Sequence, residues 1–566
     1  MAAGSNQLNG AEAFVRMLQL HGVRHIFGLC GDTSLPFYDA LYRLDHGIEH
    51  VLTRDERSAA YMADGYARVT GKVGICEAPS GGGATYILPG IVEASESSIP
   101  VLGITSDIST TARGRFALTE LDQESLFKPL TKYSSVIDRA DRLPAEVRAA
   151  FRAMTTARPG AAHLGLPFDV QKDEVPEAYI WADEALGRFP AWPVAPDPQA
   201  VETLLDVLLS AKKPLIICGG AVVIAGGEGA LGIFAEALDI PVATTISGQG
   251  SLPETHPLAV GVVGSNGGIA ATRAVVQSSD LIFFIGCRAG SVTTERWCFP
   301  APGTRVVHLD VDPSVIGANY RTEAALLADA RLGLNALNVA LDERGAVATT
   351  FDGKKRAGGA RARKAAYFAE LSASNDVPIR PERLVAELRA VLPDDAVVIA
   401  DPGTPCPYLS AFYELRETGR HFWSNRAHGA LGYSMSAAVG AWYGRPSAKI
   451  VAVMGDGSFG FTVGELETIV RQKVPLTMVV CSNAAFGWIK AGQRSGFDER
   501  YFSVDFDRTH HAGVAEAFGV KAWRVADPAA LRAVLGAAVE HDGPALVDVI
   551  CQPLHEARAP VSEWVA

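Results

Sequence analysis

The chain has 566 residues and a formal charge of −12, from 51 lysines and arginines against 63 aspartates and glutamates. Hydrophobic residues make up 48% of it and charged residues 20%. This excludes a disordered chain, which would be poor in apolar residues, and the negative charge argues against binding nucleic acid. The eight cysteines include no CxxC pair, and no apolar run reaches the ~18 residues of a membrane span. We therefore expect a soluble cytoplasmic protein with reduced cysteines and without a secretory signal or a membrane partner.

Short apolar runs rich in β-branched residues alternate with helix-sized segments along the whole chain. This alternation is typical of parallel sheets covered by helices on both faces. The fold class predicted is therefore α/β, with doubly wound parallel-sheet domains. In chain order, the predicted strands include HIFGL, VGICEA, VLGITS, PLIICGG, LIFFIG, RVVHLDV, AVVIA, KIVAVMG and LTMVVCSN.

Two stretches interrupt this alternation and predict the domain boundaries. Residues from about 172 to 200 are rich in proline and aromatic residues, and those from about 345 to 375 contain the basic segment GKKRAGGARARKAA. Both compositions are typical of linkers. They divide the chain into three predicted domains: 1–185, 190–345 and 375–566. The first and third share an order of elements, but their identity is too low to establish a duplication.

The strongest chemical signal lies in the third domain. The strand pattern Lys449–Met454 runs into Gly455-Asp456-Gly457-Ser458-Phe459, and the next predicted strand ends at Asn483. Because the carboxyl ends of neighbouring parallel strands border the ligand crevice, Asp456 and Asn483 should lie close together. Their oxygens suit Mg²⁺, which typically bridges a protein carboxylate and a diphosphate. The two glycines would let the backbone approach a phosphate. A Gly-Asp-Gly turn alone is common, and the asparagine makes the pattern specific.

This spacing resembles the signature of thiamine-diphosphate-dependent enzymes, which begins with Gly-Asp-Gly and ends in Asn-Asn. The closing pair here is Ser482-Asn483, so the metal-ligating second asparagine is present and the first is replaced. The resemblance implies an enzyme with thiamine diphosphate and Mg²⁺ as cofactors. It implies that the protein ligands of the metal are Asp456, Asn483 and the main-chain carbonyl of Ala485.

The first-domain segment HVLTRDERSAAYMADGYARVTGKVGICEAPSGGGATYILPGI resembles the pyrimidine-binding domain of the acetolactate-synthase-like branch of this family. Glu56 matches the glutamate that hydrogen-bonds N1′ of the cofactor's aminopyrimidine ring. A carboxyl group there favours the imino tautomer, whose nitrogen removes the proton from C2 of the thiazolium. Desolvation beside Tyr61 and Met62 would raise the pKa of Glu56 and help it to share a proton.

Two third-domain segments, ADPGTPCPYLSAFY and HGALGYSMSAAVGAWYG, match further cofactor contacts of the family. Leu431 falls at the position of the bulky residue that holds the cofactor bent, and His428 in the same loop is a candidate acid or base. The adjacent pair His510-His511 is instead typical of a surface. The cofactor contacts implied by the resemblance are Gly403, Thr404, Leu431, Gly455, Gly457, Ser458 and Ala485.

The middle region resembles the central domain of the same branch, which is structural in some relatives and in others binds the ADP part of FAD or of a coenzyme A thioester. The turn Gly286–Gly290, with Arg288, is the candidate contact for such a group. Because Glu56 and Asp456 lie on different domains and must meet one cofactor, the resemblance implies a homodimer or homotetramer.

The choice of activity rests on departures from acetolactate synthases. Leu118-Thr119-Glu120 replaces their Phe-Gln-Glu, and Gly492 stands where they carry a tryptophan that selects the acceptor. Trp488-Ile489-Lys490 fits the 2-hydroxyacyl-CoA lyases, with Lys490 at the place of a proton-shuttling glutamate. We therefore predict a carbon–carbon lyase or carboligase acting on a 2-hydroxyacyl-CoA. The alternatives are an acetolactate-synthase-like carboligase or decarboxylase acting on 2-oxo acids, and a non-catalytic relative that retains the fold.

Overall fold

A computed structural model describes residues 7–345 and 351–562. The chain divides into two compact units. The first contains the described residues up to Trp192 together with Asn425–Ser447 and Thr462–Val474, and the second contains the other described residues. Within these ranges the strands form three six-stranded parallel sheets and one two-stranded ribbon, which confirms the α/β class.

The first sheet lies in the first unit, and its strands all run parallel. Its strands are β2 (His25–Gly28), β3 (Glu49–Leu52), β4 (Gly74–Ala78), β5 (Val101–Asp107), β6 (Tyr133–Val136) and β7 (Ala162–Pro167). The two-stranded ribbon pairs β1 (Leu8–Asn9) with β8 (Glu174–Val175) in antiparallel orientation. The helices of this region are α1 (Gly10–Leu20), α2 (Leu35–Arg43), α3 (Glu56–Thr70), α4 (Gly82–Tyr86), α5 (Leu88–Glu96), α6 (Gln123–Phe127) and α7 (Leu143–Thr155). The sheet order is β3-β2-β4-β5-β7-β6.

The second sheet belongs to the central part of the chain and has buried side chains on both faces. Ile216 and Phe283 join one apolar cluster, whereas their strand neighbours Ile217 and Phe284 join another. Its strands are β9 (Pro214–Cys218), β10 (Val242–Thr244), β11 (Ala259–Val262), β12 (Leu281–Ile285), β13 (Arg305–Asp310) and β14 (Ala324–Leu327). The helices are α8 (Pro198–Leu209), α9 (Ala221–Ile224), α10 (Glu228–Leu238), α11 (Ala270–Gln277), α12 (Ala330–Glu343) and α13 (Gly353–Ser372). The sheet order β11-β10-β9-β12-β13-β14 is that of dinucleotide-binding folds.

The third sheet has the order β16-β15-β17-β18-β20-β19, which repeats the order of the first sheet when strands are counted along the chain. Its strands are β15 (Val397–Ala400), β16 (Phe422–Ser424), β17 (Ile450–Gly455), β18 (Thr477–Ser482), β19 (Lys521–Val525) and β20 (Ala545–Ile550). The remaining helices are α14 (Pro381–Val391), α15 (Pro405–Phe412), α16 (Ser434–Gly444), α17 (Asp456–Thr462), α18 (Glu465–Arg471), α19 (Gly487–Gly496), α20 (His511–Ala517) and α21 (Leu531–Glu540).

One of the two predicted linkers is wrong, because most of the segment from 345 to 375 forms α13. Alanine, arginine and lysine favour helix strongly enough to outweigh the glycines in this segment. The helix is also anchored to the central region: the Arg356 guanidinium donates to the carbonyl of Pro214 at 2.7 Å, and Lys364 Nζ donates to Glu254 Oε2 at 2.8 Å. Residues 346–350 lie outside the described part of the chain.

Within the first unit, helices α3 and α16 cross at close range. A methyl group added at Gly65 would overlap the main-chain oxygen of Ala437, and one added at Gly440 would overlap that of Met62. These glycines therefore permit a contact that no larger residue would allow. The crossing places the segment that precedes α16 next to α3. None of the helices in the two described ranges is long and apolar enough to cross a membrane.

Candidate functional site

The carboxylate of Asp456 connects the ends of two neighbouring strands. Asp456 follows β17 directly and is buried. Its Oδ2 accepts hydrogen bonds from the main-chain N–H groups of Asn483 at 2.8 Å and Ala484 at 2.6 Å, and its Oδ1 accepts one from Gly457 at 2.9 Å. Burial raises the pKa of Asp456, and the three N–H donors oppose this by stabilising the charged form. The structure thus brings Asp456 and Asn483 together, as the strand pattern predicts.

The side chain of Asn483 offers an oxygen that is suited to a metal. Its Nδ2 donates to Thr404 Oγ1 at 3.1 Å, whereas its buried Oδ1 has no hydrogen-bond partner within the described chain. A buried polar oxygen without a partner is costly unless a ligand satisfies it. Ala485, the predicted main-chain ligand, is buried two residues further on. Asp456, Asn483 and Ala485 therefore fit Mg²⁺, with diphosphate oxygens to complete its coordination.

This set has a single carboxylate. In the described ranges we find no group of three or more His, Cys, Asp or Glu residues that could hold a metal ion. A metal at Asp456 would therefore depend on neutral oxygens and on the ligand's own charge. That arrangement suits a metal that arrives together with an anionic cofactor.

The loop after β15 supplies the other side of this site. Gly403 has a φ of +95°, a conformation that favours glycine, and the adjacent Thr404 is buried against Asn483. A methyl group at Gly487 would lie 3.2 Å from Thr404 Oγ1, so α19 also begins close to this loop. Gly403, Thr404 and Asn483 thus lie together in the second unit.

The two glycines beside Asp456 have different surroundings. A methyl group at Gly457 would lie 2.8 Å from the ring of Phe486, whereas one at Gly455 would meet open space. Gly457 is therefore also required for packing, a reason that the sequence did not reveal. Ser458 is buried on α17.

The sequence analysis did not predict a buried polar cluster that joins the end of β18 to β20. Ser482 Oγ donates to Asp548 Oδ1 at 2.5 Å and lies 2.9 Å from His511 Nδ1. The prediction that His510-His511 is a surface pair is wrong for His511, which is buried and contacts Phe459 edge-on. A lone aspartate in the apolar strand ALVDVI was the signal that could have found the cluster. It anchors the residue immediately before Asn483.

Lys490 lines a cavity of about 380 Å³ in the second unit, together with Asn483 and Ala485. Its Nζ donates to Asp505 Oδ1 at 2.6 Å and lies 5.0 Å from the centre of the Tyr501 ring. Lys490 therefore shares a cavity with two predicted metal ligands while its charge is already paired. Its catalytic role stays a prediction.

Glu56 lies in the first unit, where it is the first residue of α3. The Asp55 side chain caps this helix by accepting the N–H of Arg57 at 2.8 Å. Glu56 is only 8% exposed, and burial raises the pKa of its carboxyl group, the direction predicted from the sequence. A methyl group at Gly83 would lie 3.1 Å from Glu56 Oε1. The glycine run after β4 therefore leaves room for this carboxyl group.

The two remaining candidates lie on the loop between β16 and α16, also in the first unit. The His428 side chain is exposed and Leu431 is half-buried. The main-chain N–H of His428 donates to Glu93 Oε2 at 2.8 Å. The predicted site residues thus divide between the units, with Glu56, His428 and Leu431 in the first and the others in the second.

In the central sheet, the predicted nucleotide turn lies where the strand order reverses. Gly286 follows β12 with a φ of +56°, and a methyl group at Gly219, which follows β9, would overlap its carbonyl oxygen. Arg288 is exposed beside this turn. The position is one at which such sheets bind ligands, and occupancy by FAD, ADP or coenzyme A stays a prediction.

Three domain models of thiamine pyrophosphate enzymes match the chain. The N-terminal TPP-binding domain matches residues 8–126, the central domain residues 201–337 and the C-terminal TPP-binding domain residues 401–549. The chain is therefore a thiamine-pyrophosphate-dependent enzyme.

Similar proteins specify the branch of this family. A probable acetolactate synthase large subunit of Methanocaldococcus jannaschii is 34% identical, over 96% of this chain and 92% of its own length. The acetolactate synthase isozyme 2 large subunit of Escherichia coli is 32% identical, over 96% and 95%. The acetolactate synthase of Mycobacterium bovis is 30% identical, over 91% and 83%. The chain belongs to the acetolactate-synthase-like superfamily.

We predict that Asp456→Ala abolishes Mg²⁺-dependent binding of thiamine diphosphate. The substitution removes the only carboxylate of the predicted ligand set and releases the N–H groups that hold the Asn483 loop. Calorimetric titration of cofactor with Mg²⁺ measures the effect, with the exposed Asp498→Ala as the control. An unchanged dissociation constant in Asp456→Ala would exclude the metal assignment.

Proposed function

We propose that the protein is a thiamine-diphosphate- and Mg²⁺-dependent carboligase that acts on 2-oxo acids. The observation that carries the proposal is the unpartnered, buried Oδ1 of Asn483 beside the carboxylate of Asp456, in a chain of this family. The relatives named acetolactate synthases align over nearly the whole chain and favour this alternative. They support it better than the 2-hydroxyacyl-CoA lyase that the sequence analysis placed first.

The non-catalytic alternative has less support. A protein that retained only the fold would have no need for an unsatisfied oxygen at Asn483 or for a buried carboxyl group at Glu56. Each is costly in a folded chain without a ligand to compensate it. Their presence supports a working site.

The proposed roles of the residues follow from their chemistry. When bound, thiamine diphosphate supplies a nucleophilic carbon and an electron sink for breaking and forming bonds beside a carbonyl group. Asp456, Asn483 and the Ala485 carbonyl would hold Mg²⁺, and Thr404 and Gly403 would face the diphosphate. Glu56 would hold a proton at N1′ of the pyrimidine, a task for which its raised pKa suits it.

We infer that the working form is a homodimer or a homotetramer. Glu56 and Asp456 belong to different units of the chain, and the roles proposed above place both at one cofactor. The family resemblance implies that they come from different subunits, so the site is completed by a second copy. An active monomer in sedimentation velocity would contradict this inference.

We expect the purified protein to convert pyruvate to 2-acetolactate and to leave a 2-hydroxyacyl-CoA intact. Product analysis by chromatography distinguishes the two, and Asp456→Ala serves as the inactive control. Cleavage of the 2-hydroxyacyl-CoA without use of pyruvate would contradict the carboligase proposal and favour the lyase assignment. The absorbance spectrum of the same preparation shows whether the central domain holds a flavin.

We expect Glu56→Gln to slow turnover by ~10²–10⁴-fold, the usual range for loss of a general acid or base. Glutamine keeps the volume and one hydrogen bond but cannot share a proton with N1′. Exchange of the cofactor's C2 proton for deuterium, followed by NMR after rapid quenching, isolates this step from substrate identity. The control Glu124→Gln, at an exposed position, should leave the rate of C2 proton exchange unchanged. If Glu56→Gln exchanges C2–H at the parental rate, Glu56 is not the activating residue.

A further inference from the structure

A buried charge cluster joins helices α3 and α5 in the first unit. Arg68 Nε donates to Asp64 Oδ2 at 2.8 Å, and its terminal nitrogen lies 3.4 Å from Glu93 Oε1. The side chains of Asp64 and Glu93 are fully buried, and that of Arg68 is 4% exposed. Buried charges of this kind persist only when each is paired or hydrogen-bonded.

The cluster extends to the loop that precedes α16. Glu93 Oε2 accepts the main-chain N–H of His428 at 2.8 Å, and the Tyr433 hydroxyl donates to Asp64 Oδ2. Inside the loop, Asn425 Nδ2 donates to the carbonyl of Ala430 at 2.7 Å. The loop is therefore closed on itself and held by the cluster at two points.

The main-chain N–H of His428 helps to stabilise the negative charge of the cluster. Two carboxylates face one guanidinium, and Asp64 Oδ1 has no hydrogen-bond partner in the described part of the chain. Burial raises the pKa of Glu93, whereas Arg68, the Ser97 hydroxyl and the His428 N–H stabilise its charged form. The carboxylate orients the loop, and the loop in turn helps to keep the carboxylate charged.

The bond from the His428 amide lies at the tip of the loop. Residues 427–429 are exposed, and Gly429 and Gly432 both have positive φ. Exposed segments that contain glycine have much conformational freedom to lose on ordering. A hydrogen bond to a buried carboxylate is among the stronger bonds available to offset that loss.

We propose that Glu93 is a positioning residue: its carboxylate fixes the loop that presents His428 and Leu431 to the cofactor. The proposal rests on the proposed function only in the statement that the loop contacts the cofactor. The holding of the loop is a property of the cofactor-free protein. It can therefore be tested apart from any reaction.

The first test is amide hydrogen exchange, by mass spectrometry, of the cofactor-free protein over residues 425–433. Glu93→Ala removes the acceptor, so we expect the His428 amide to exchange about 10- to 100-fold faster, as loss of a charge-assisted bond implies. Ser97→Ala is the matched control: Ser97 donates to the other oxygen of the same carboxylate at 2.7 Å, rather than to the loop. It should leave the loop's exchange unchanged.

Glu93→Gln covers the case in which Glu93→Ala does not fold. Its amide oxygen can still accept the His428 N–H without the charge, so we expect an acceleration smaller than that of alanine. Parental exchange of the loop in a folded Glu93 variant would overturn the proposal. So would acceleration spread evenly over the first unit, because that indicates general destabilisation.

The second test is the thiamine diphosphate concentration that half-saturates the protein, read by quenching of intrinsic fluorescence. A loop that is no longer held should raise this concentration about 10-fold in Glu93→Ala and less in Glu93→Gln, with Ser97→Ala at the parental value. Faster loop exchange with unchanged cofactor binding would show that the loop does not meet the cofactor. That outcome would overturn the positioning role while leaving the carboligase proposal intact.

Discussion

The predicted metal site depends on one buried carboxylate that is surrounded by main-chain donors. Asp456 accepts three N–H groups, one from the first turn of α17 and two from the segment after β18, so it holds the ends of β17 and β18 together before any ligand arrives. Because those donors satisfy the carboxylate, the negative charge can remain at a buried position. The same bonds fix the main chain at Asn483 and leave its Oδ1 without a partner. The site is thus preorganised around an oxygen that the described protein groups leave open to a ligand.

The sheet topology explains why Asp456 and the candidate residues Glu56 and Thr404 follow the ends of strands. In both the first and the third sheet, the second strand along the chain lies outside the first, so the order reverses beside it. Crevices form at such reversals, beyond the carboxyl ends of the strands. Glu56 follows β3 in the first sheet, and Thr404 and Asp456 follow β15 and β17 in the third. The same topology in the first and third sheets therefore places candidate site residues just after strand ends in each of them.

Much of this organisation follows from local pattern. Each predicted strand overlaps a strand of the structure, because buried parallel strands are short β-branched runs between helices. Asp456 and Asn483 were predicted together because their positions at the ends of consecutive strands required it. Contacts between residues distant in the chain could not be predicted from local pattern. The alanine-rich segment around Arg356 was therefore interpreted as a linker, and His511 as exposed. Both errors arose because distant partners, Pro214 for one and Ser482 for the other, decide the burial. The ranking of activities has a different origin: single departures at Gly492 and Thr119 weighed more in it than similarity along the whole chain, and the relatives favour the alternative.

Substitution of Asn483 tests directly whether its free Oδ1 is a ligand of Mg²⁺. Calorimetric titration of Mg²⁺ in the presence of thiamine diphosphate should be compared in the parent, in Asn483→Leu and in Asn483→Asp. Leucine keeps the branched skeleton with the same number of side-chain heavy atoms and removes the oxygen, so metal-dependent binding should be lost while the circular dichroism spectrum stays the same. Aspartate keeps an oxygen and should retain binding. If Asn483→Leu binds Mg²⁺ and cofactor as tightly as the parent, the site has been placed wrongly.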